Sequence, residues 1–124
     1  MSDSADNYFK TWSKVYLKYC DGSGHQGTRS EPVAYKERKL YFRGNNITIA
    51  QFKAIDEALG LFSGKVSQVV LSGCSAGGLA AYHWANYLTD NLPSSAKLWV
   101  IPDSGIFLDV VDLTTNTSSY RISL

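Results

Sequence analysis

The chain has 124 residues, of which 44% are hydrophobic and 19% are charged, and its formal net charge is +1. These values predict one globular domain with a core just large enough to fold. Mixed charges and short apolar runs argue against nucleic acid as a partner and against a membrane span. The polar, acidic residues 1–6 are unlike a signal peptide, so we expect none in this chain.

The first predicted elements surround a glycine-rich loop. Residues 14–19 alternate between two faces, which is typical of a strand. The glycine-rich loop, residues 21–27, follows directly, and a second short strand is predicted at residues 39–43. Thr48 and Gln51 have the spacing of a capping box, which predicts that a helix begins there. Glycines at residues 60–64 are expected to end it. Its apolar face is expected to comprise Phe52, Ile55, Leu59 and Phe62.

The remaining main elements are a strand, a helix and a further strand. Residues 66–71 are predicted to form a buried strand, whose apolar residues are Val66, Val69, Val70 and Leu71. Residues 77–92 are predicted to be a helix, ended by Pro93, and residues 98–101 a third main strand. Strands separated by helices of this length predict an α/β fold with parallel β-α-β units. The residues after each strand should meet at the carboxyl edge of the sheet, where such folds bind ligands.

Residues 73–77 read Gly-Cys-Ser-Ala-Gly, a G-x-S-x-G pattern between a predicted strand and a predicted helix. This setting predicts a nucleophile elbow, a strained turn that exposes the Ser75 hydroxyl. The N–H of Ala76 and the positive end of the helix could stabilise an oxyanion there. The alternative is a purely structural glycine turn. Cys74 is expected to be a small buried side chain that fills space in the core. With only Cys20 besides it and no metal-ligand spacing, neither a disulfide framework nor a metal site is expected.

A serine nucleophile needs a base, and the sequence offers no convincing one. His83 lies eight residues along the same predicted helix, roughly 12 Å away at 1.5 Å per residue, so it cannot reach Ser75. We expect it to be partly buried beside Leu79 and Tyr87. His25 lies in the glycine-rich loop. It is either a base, which would then precede the nucleophile in the chain and not follow it as is usual in α/β-hydrolases, or simply a solvated side chain. Asp103 ends the third strand, either as an acid or as a residue that shapes a turn.

Four segments together resemble the pectin acetylesterase family, which includes the Notum carboxylesterases. They are residues 12–23, 40–44, 71–79 and 103–109, and the similarity runs from about residue 7 to residue 109. The resemblance implies an α/β-hydrolase-like parallel sheet flanked by helices and a secreted serine carboxylesterase without a cofactor. The implied substrate is an acetylated polysaccharide such as pectin, or another acyl ester.

The resemblance also implies roles for particular residues. Ser75 matches the family nucleophile, and the Ala76 N–H matches one oxyanion donor. Phe107 matches a position that lines the acyl pocket in Notum-like members. Asp103 matches a family residue that is not the triad acid.

The family's other catalytic parts have no match in the chain. Its glycine-rich oxyanion loop lies upstream of the matched segments, and its catalytic Asp and His lie beyond Leu124. We therefore expect residues 1–124 to form a single incomplete domain, a central slice of a larger fold. Three hypotheses follow. In the first, the sequence belongs to a pectin-deacetylating serine hydrolase. In the second, it is an inactive fragment that binds polysaccharide or a partner chain. In the third, it is an intact small hydrolase that uses His25.

Overall fold

The structure is a computed structural model that describes residues 4–118. Within this range it contains two helices and six strands. In chain order these are β1 (Val33–Tyr35), β2 (Arg38–Leu40), α1 (Gly44–Leu59), β3 (Gln68–Cys74), α2 (Ala76–Asn91), β4 (Lys97–Asp103), β5 (Val111–Asp112) and β6 (Thr117–Ser118).

The central unit is β3–α2–β4. Strands β3 and β4 pair in parallel over their whole length, from Gln68 opposite Lys97 to Cys74 opposite Asp103. Helix α2 connects them and contacts both strands. Parallel neighbours need such a crossover, because the chain must return to the same end of the sheet. The predicted α/β class is confirmed, and the chain contains a two-stranded parallel part of such a sheet.

The core lies between the two helices and one face of this sheet. Its buried residues are Phe52, Leu61, Ala80, Trp84 and Leu88. Phe52 of α1 packs edge-on against Trp84 of α2, with ring centroids 5.5 Å apart. Trp84 and Leu88 are four residues apart, so they lie on one face of α2, directed at the core. Truncating Phe52 or Trp84 to alanine should cost about 3–5 kcal/mol of stability.

Helix α1 begins at Gly44, so the predicted start at Thr48 is wrong. Thr48 is 2% exposed and lies in the second turn of the helix. The first turn is satisfied from outside: the Asn45 N–H donates to the Gly27 carbonyl at 3.0 Å, and the Asp21 carboxylate is stabilised by the N–H groups of Arg43 and Gly44. A capping residue in the sequence just before the helix is therefore not needed. The predicted end is confirmed, since Gly60 closes the helix with φ 71° and donates its N–H to the Asp56 carbonyl.

Residues 14–19 do not form the predicted strand. They have no ladder with any residue of the described range 4–118. A groove of about 530 Å³ lies between this segment and β3, lined by Val15 and Leu17 on one side and Val69 and Leu71 on the other. Alternation alone does not make a strand, because a strand also needs a partner backbone for its hydrogen bonds.

The second predicted strand is present but shorter and differently paired. Residues 39–43 were expected, whereas β2 is Arg38–Leu40 and pairs antiparallel with β1. The turn between them uses Lys36 with φ 52°. Strands β5 and β6 form a further small antiparallel hairpin. Among residues 4–118, no helix is long and apolar enough to cross a membrane.

Candidate active site

Ser75 occupies the turn between β3 and α2 with φ 57° and ψ −117°. A positive φ is strained for a residue with a Cβ and persists only where neighbouring bonds hold it. Here the Ser75 N–H donates to the Asp103 carbonyl at 3.0 Å. The Ser75 carbonyl accepts the N–H groups of Gly78 at 2.8 Å and Leu79 at 3.1 Å. The end of β4 and the first turn of α2 therefore fix the backbone of this serine.

Glycines allow the chain segments around Ser75 to approach closely. A Cβ on Gly73 would collide with the backbone carbonyl of Gly77. A Cβ on Gly78 would lie 2.6 Å from the Asp103 carbonyl oxygen and 2.7 Å from the Gly105 Cα. By contrast, a Cβ on Gly77 would meet no atom within 4 Å. Gly73 and Gly78 are thus required by packing, whereas Gly77 leaves open space beside the turn.

The Ser75 hydroxyl is exposed and does not cap the helix. Serine at an N-cap usually accepts a backbone N–H of the first turn through its side-chain oxygen. Ser75 makes no such bond, and no hydrogen bond within residues 4–118 engages its Oγ. The side chain that sits at the end of the helix dipole is therefore available for other chemistry.

The first turn of α2 adds unpaired donors next to this hydroxyl. Ala76 is the first residue of the helix, so its N–H has no partner within α2. The first turn carries no acidic side chain that would neutralise the positive end of the helix dipole. The arrangement at Ser75 and Ala76 can favour negative charge on an oxygen bound there.

Cys74 is exposed, so the expectation of a buried side chain is wrong. Along β3 the core-facing side chains include Val69 and Leu71. Successive side chains of a strand alternate between faces. Cys74 therefore lies on the opposite face of the sheet, which the helices do not cover.

The contacts of His25 are with residues other than Ser75. Its ring stacks on Tyr19 with centroids 4.9 Å apart, and its Nδ1 lies 3.3 Å from the Thr48 Oγ1. Its carbonyl accepts the Trp84 Nε1–H at 3.1 Å. Burial lowers the pKa of His25, and the nearby Asp21 charge opposes this effect. Trp84 lies nine residues after Ser75, roughly 13 Å along α2, and none of these contacts joins His25 to Ser75.

His83 is exposed on α2, so its predicted partial burial beside Leu79 and Tyr87 is wrong. The buried face of α2 follows Ala80, Ala81, Trp84 and Leu88. His83 falls just outside this face, and its ring meets the Trp84 ring edge-on at 5.2 Å between centroids.

Asp103 is the last residue of β4, and Phe107 lies four residues later. The Asp103 carboxylate accepts the Ser104 hydroxyl at 3.0 Å, and its carbonyl accepts the Ser75 N–H. These bonds favour the turn-shaping role of Asp103 over an acid role. Phe107 is half-buried and lies two residues beyond Gly105, whose backbone packs against Gly78. The chain thus returns toward the first turn of α2 just before Phe107.

Sequence reasoning missed the role of Asp21. Its carboxylate accepts the Ser23 hydroxyl at 2.8 Å and the Ser23 N–H at 3.1 Å. Burial raises the pKa of Asp21, but hydrogen bonds from Ser23, Arg43 and Gly44 outweigh it and hold that pKa below its usual value. An Asp two residues before a Ser is a known turn signal and could have indicated this network. No cluster of three or more metal-ligating side chains occurs among the described residues.

The parallel β3–α2–β4 unit and the serine turn at its carboxyl edge define an α/β protein with its candidate site where such folds bind ligands. A family described as pectinacetylesterase matches residues 1–122, and the chain belongs to this family. The resemblance found in the sequence is thereby confirmed.

Curated relatives from Arabidopsis thaliana agree with this assignment. Pectin acetylesterase 5 is 40% identical over 116 residues, which are 93% of this chain and 26% of the relative. Pectin acetylesterase 4 is 35% identical over 93% of this chain and 27% of its own length. Pectin acetylesterase 11 is 33% identical over 86% of this chain and 26% of its own length. The chain thus spans about a quarter of these relatives. No solved structure matches it.

Proposed function

We propose that the chain carries the nucleophile of a serine carboxylic ester hydrolase that removes acetyl groups from pectin or a related acyl ester. Ser75 is the nucleophile, the Ala76 N–H is one oxyanion donor, and Phe107 contacts the acyl group. One observation carries the proposal. Ser75 sits at the N-cap of α2 with φ 57° and makes no capping bond, so its hydroxyl is free at the positive end of the helix.

The proposed reaction proceeds through an acyl-enzyme. The Ser75 Oγ attacks the acyl carbonyl carbon while a base takes the hydroxyl proton. The carbonyl oxygen becomes negatively charged and accepts a hydrogen bond from the Ala76 N–H. The intermediate collapses, the sugar hydroxyl leaves with a proton, and water then hydrolyses the acyl-enzyme. This chemistry requires a base from outside the described contacts, because Ser75 Oγ has no hydrogen-bond partner within residues 4–118.

Covalent labelling tests the nucleophile. We expect a fluorophosphonate probe to label the active protein and Ser75→Ala to abolish that labelling. Ser72→Ala is the matched control, since Ser72 is an exposed serine of β3 three residues earlier. Labelling that persists in Ser75→Ala would refute the role of Ser75.

A second candidate is a catalytically inactive piece that binds acetylated polysaccharide or a partner chain. The contacts of His25 with Tyr19 and Thr48 favour it, since they leave Ser75 without a base among residues 4–118. It predicts that the 124-residue chain binds acetylated pectin, releases no acetate and is unaffected by Ser75→Ala. The same contacts disfavour an intact small hydrolase based on His25, which would need acetate release that His25→Ala abolishes.

Pectin belongs to the plant cell wall, so the proposed substrate implies an extracellular site of action. We propose secretion on this ground, together with the pectin acetylesterase relatives. Immunolocalisation of the native protein in the cell wall or the cytosol would decide this point.

A further inference from the structure

Positive charge is concentrated in one short segment of the chain. Residues 29–43 contain five of the twelve Lys and Arg residues but only two of the eleven Asp and Glu residues. Their net charge is +3, whereas the rest of the chain carries −2. The segment comprises the β1–β2 hairpin and its flanks. Its cations are Arg29, Lys36, Arg38, Lys39 and Arg43.

These cations are exposed and are not neutralised by ion pairs within the described part of the chain. All five side chains are exposed, and none forms an ion pair with a carboxylate within residues 4–118. Arg29 and Arg43 instead donate to the backbone carbonyls of Glu31 and Ser30, at 3.1 and 2.6 Å. The charges of Arg29 and Arg43 therefore lie beside residues 30 and 31, just before β1, and no carboxylate of the described residues pairs with them.

One face of the hairpin combines an aromatic ring with two cations. Tyr35 pairs directly with Arg38, so their side chains lie on the same face of the ribbon. The Lys36 Nζ sits 5.4 Å from the centroid of the Tyr35 ring. Tyr35 is nevertheless 56% exposed. Lys39 pairs with Ala34 and, by strand alternation, occupies the opposite face.

We propose that the hairpin face formed by Tyr35, Lys36 and Arg38 binds the acidic sugar chain of pectin, a polymer of galacturonic acid. This proposal rests on the function proposed above for its choice of ligand. The guanidinium of Arg38 pairs with a sugar carboxylate in a charge-assisted bond, and Lys36 contacts a neighbouring carboxylate. The Tyr35 ring lies against the apolar C–H face of a sugar, whose partial positive charge suits the negative face of the ring.

The observations favour a polyuronate over a nucleic acid. The cations are few, and Glu31 and Glu37 lie among them, which would oppose a dense phosphate backbone. A polyuronate carries one carboxylate per sugar and presents a flat apolar face to the ring. The hairpin would hold the polymer by its backbone carboxylates, while a different part of the chain acts on its acetyl groups.

Equilibrium binding of the 124-residue chain to unesterified polygalacturonate tests the proposal. The double variant Lys36→Gln/Arg38→Gln should weaken binding by roughly three- to tenfold, as expected for two exposed charge contacts. Lys39→Gln removes one charge from the opposite face and is the matched control, with an expected change below about twofold. Tyr35→Leu should weaken binding, whereas Tyr35→Phe should retain it. Far-UV circular dichroism verifies that each variant is folded.

Three further ligands make the outcome specific. Fully methyl-esterified pectin, which has lost its carboxylate charges, should bind weakly, and neutral dextran should not bind. Equal loss of binding in Lys39→Gln and in the single variant Arg38→Gln would overturn the face assignment. Duplex DNA that binds as tightly as polygalacturonate, with the same dependence on Lys36 and Arg38, would overturn the ligand assignment.

The test is independent of catalysis, because polygalacturonate carries no acetyl ester and the measurement can be repeated in Ser75→Ala. Retained polygalacturonate binding, together with a native protein that shows no Ser75-dependent acetate release, would refute the hydrolase proposal alone. Acetate release that is retained, with an affinity for polygalacturonate that the hairpin variants do not change, would refute the hairpin proposal alone.

Discussion

Ser75 combines a strained backbone with an unused hydroxyl. The residue remains at φ 57° because the Asp103 carbonyl and the N–H groups of Gly78 and Leu79 hold its peptide groups. Such strain costs about 1–3 kcal/mol for a residue with a Cβ and is typical of functional sites. A merely structural turn at this position would be better served by glycine, which adopts positive φ without penalty.

Replacing Ser75 should therefore separate stability from function. We expect Ser75→Gly to be more stable than Ser75→Ala by about 1 kcal/mol, because only glycine relieves the positive φ. Both variants should lose serine-directed labelling. Urea denaturation measures the difference in free energy of unfolding. Ser72 provides the control, since it lies in β3, where glycine should be the less stable substitution. A Ser75→Gly variant no more stable than Ser75→Ala would contradict a strained turn.

His25 should make stability depend on pH. Burial lowers its pKa in the folded state below the ordinary value of 6.5. Below pH 6.5 the unfolded chain then binds a proton that the folded chain resists, so stability is full above this pH and falls as the pH decreases. The facing groups are Tyr19, Thr48 and Asp21, and the Asp21 charge opposes the effect.

Denaturation at pH 7.5 and pH 5.5 measures this dependence. His25→Gln should reduce the loss of stability between the two pH values, because it removes the titrating ring. His83→Gln is the matched control, since His83 is exposed on α2. An equal loss in the unmodified chain and in His25→Gln would show that other groups cause the pH dependence.

At the scale of elements, local signals located the central unit well. The sequence predicts a strand at residues 66–71, a helix at 77–92 and a strand at 98–101. These lie near the observed bounds of β3 (Gln68–Cys74), α2 (Ala76–Asn91) and β4 (Lys97–Asp103). Each has its own periodicity and a nearby breaker, such as Pro93, so the sequence within the segment is sufficient. The same holds for Gly60, which ends α1 as expected.

The errors concern features that depend on distant residues. The start of α1 was misplaced because its cap, Asp21, lies 23 residues before Gly44 in the sequence. The strand at residues 14–19 was wrong because no described backbone pairs with it. Cys74 and His83 were misjudged because exposure depends on which face the rest of the fold covers. The motif predicts a strained turn at Ser75, whereas the value of its φ and the absence of a capping bond are seen only in the folded chain.

The external cap of α1 leads to a prediction at this scale. Asp21→Asn should destabilise the chain by about 1 kcal/mol, since the N–H groups of Arg43 and Gly44 lose a charged acceptor. Asp90→Asn is the control, because Asp90 is exposed near the end of α2. Urea denaturation distinguishes the two. Equal stability of Asp21→Asn and the unmodified chain would mean that the loop does not cap α1.

At the scale of the whole molecule, much apolar surface is uncovered. The face of β4 opposite the helices exposes Trp99 and Ile101 at 44% and 48%. Ile106, Leu108 and Leu113 are at least 74% exposed beyond it. Within residues 4–118 both outer edges of the β3–β4 pair lack a ladder partner. Unpaired edges and exposed apolar side chains both favour association. The isolated 124-residue chain should therefore self-associate, which sedimentation velocity at several concentrations would measure. A monomer that remains stable at high concentration would contradict this expectation.

The mass of the native protein decides between the two proposed functions. The hydrolase needs a base and an oriented carboxylate that the contacts of Ser75 do not supply within residues 4–118. The chain spans 26% of pectin acetylesterase 5, so the hydrolase proposal predicts a native product well above 13.7 kDa. Affinity capture from the native source followed by intact-mass spectrometry measures it. A larger product that a fluorophosphonate labels at Ser75 supports hydrolysis. A product near 13.7 kDa that the probe leaves unlabelled supports the binding piece, since residual catalysis without a base is weak.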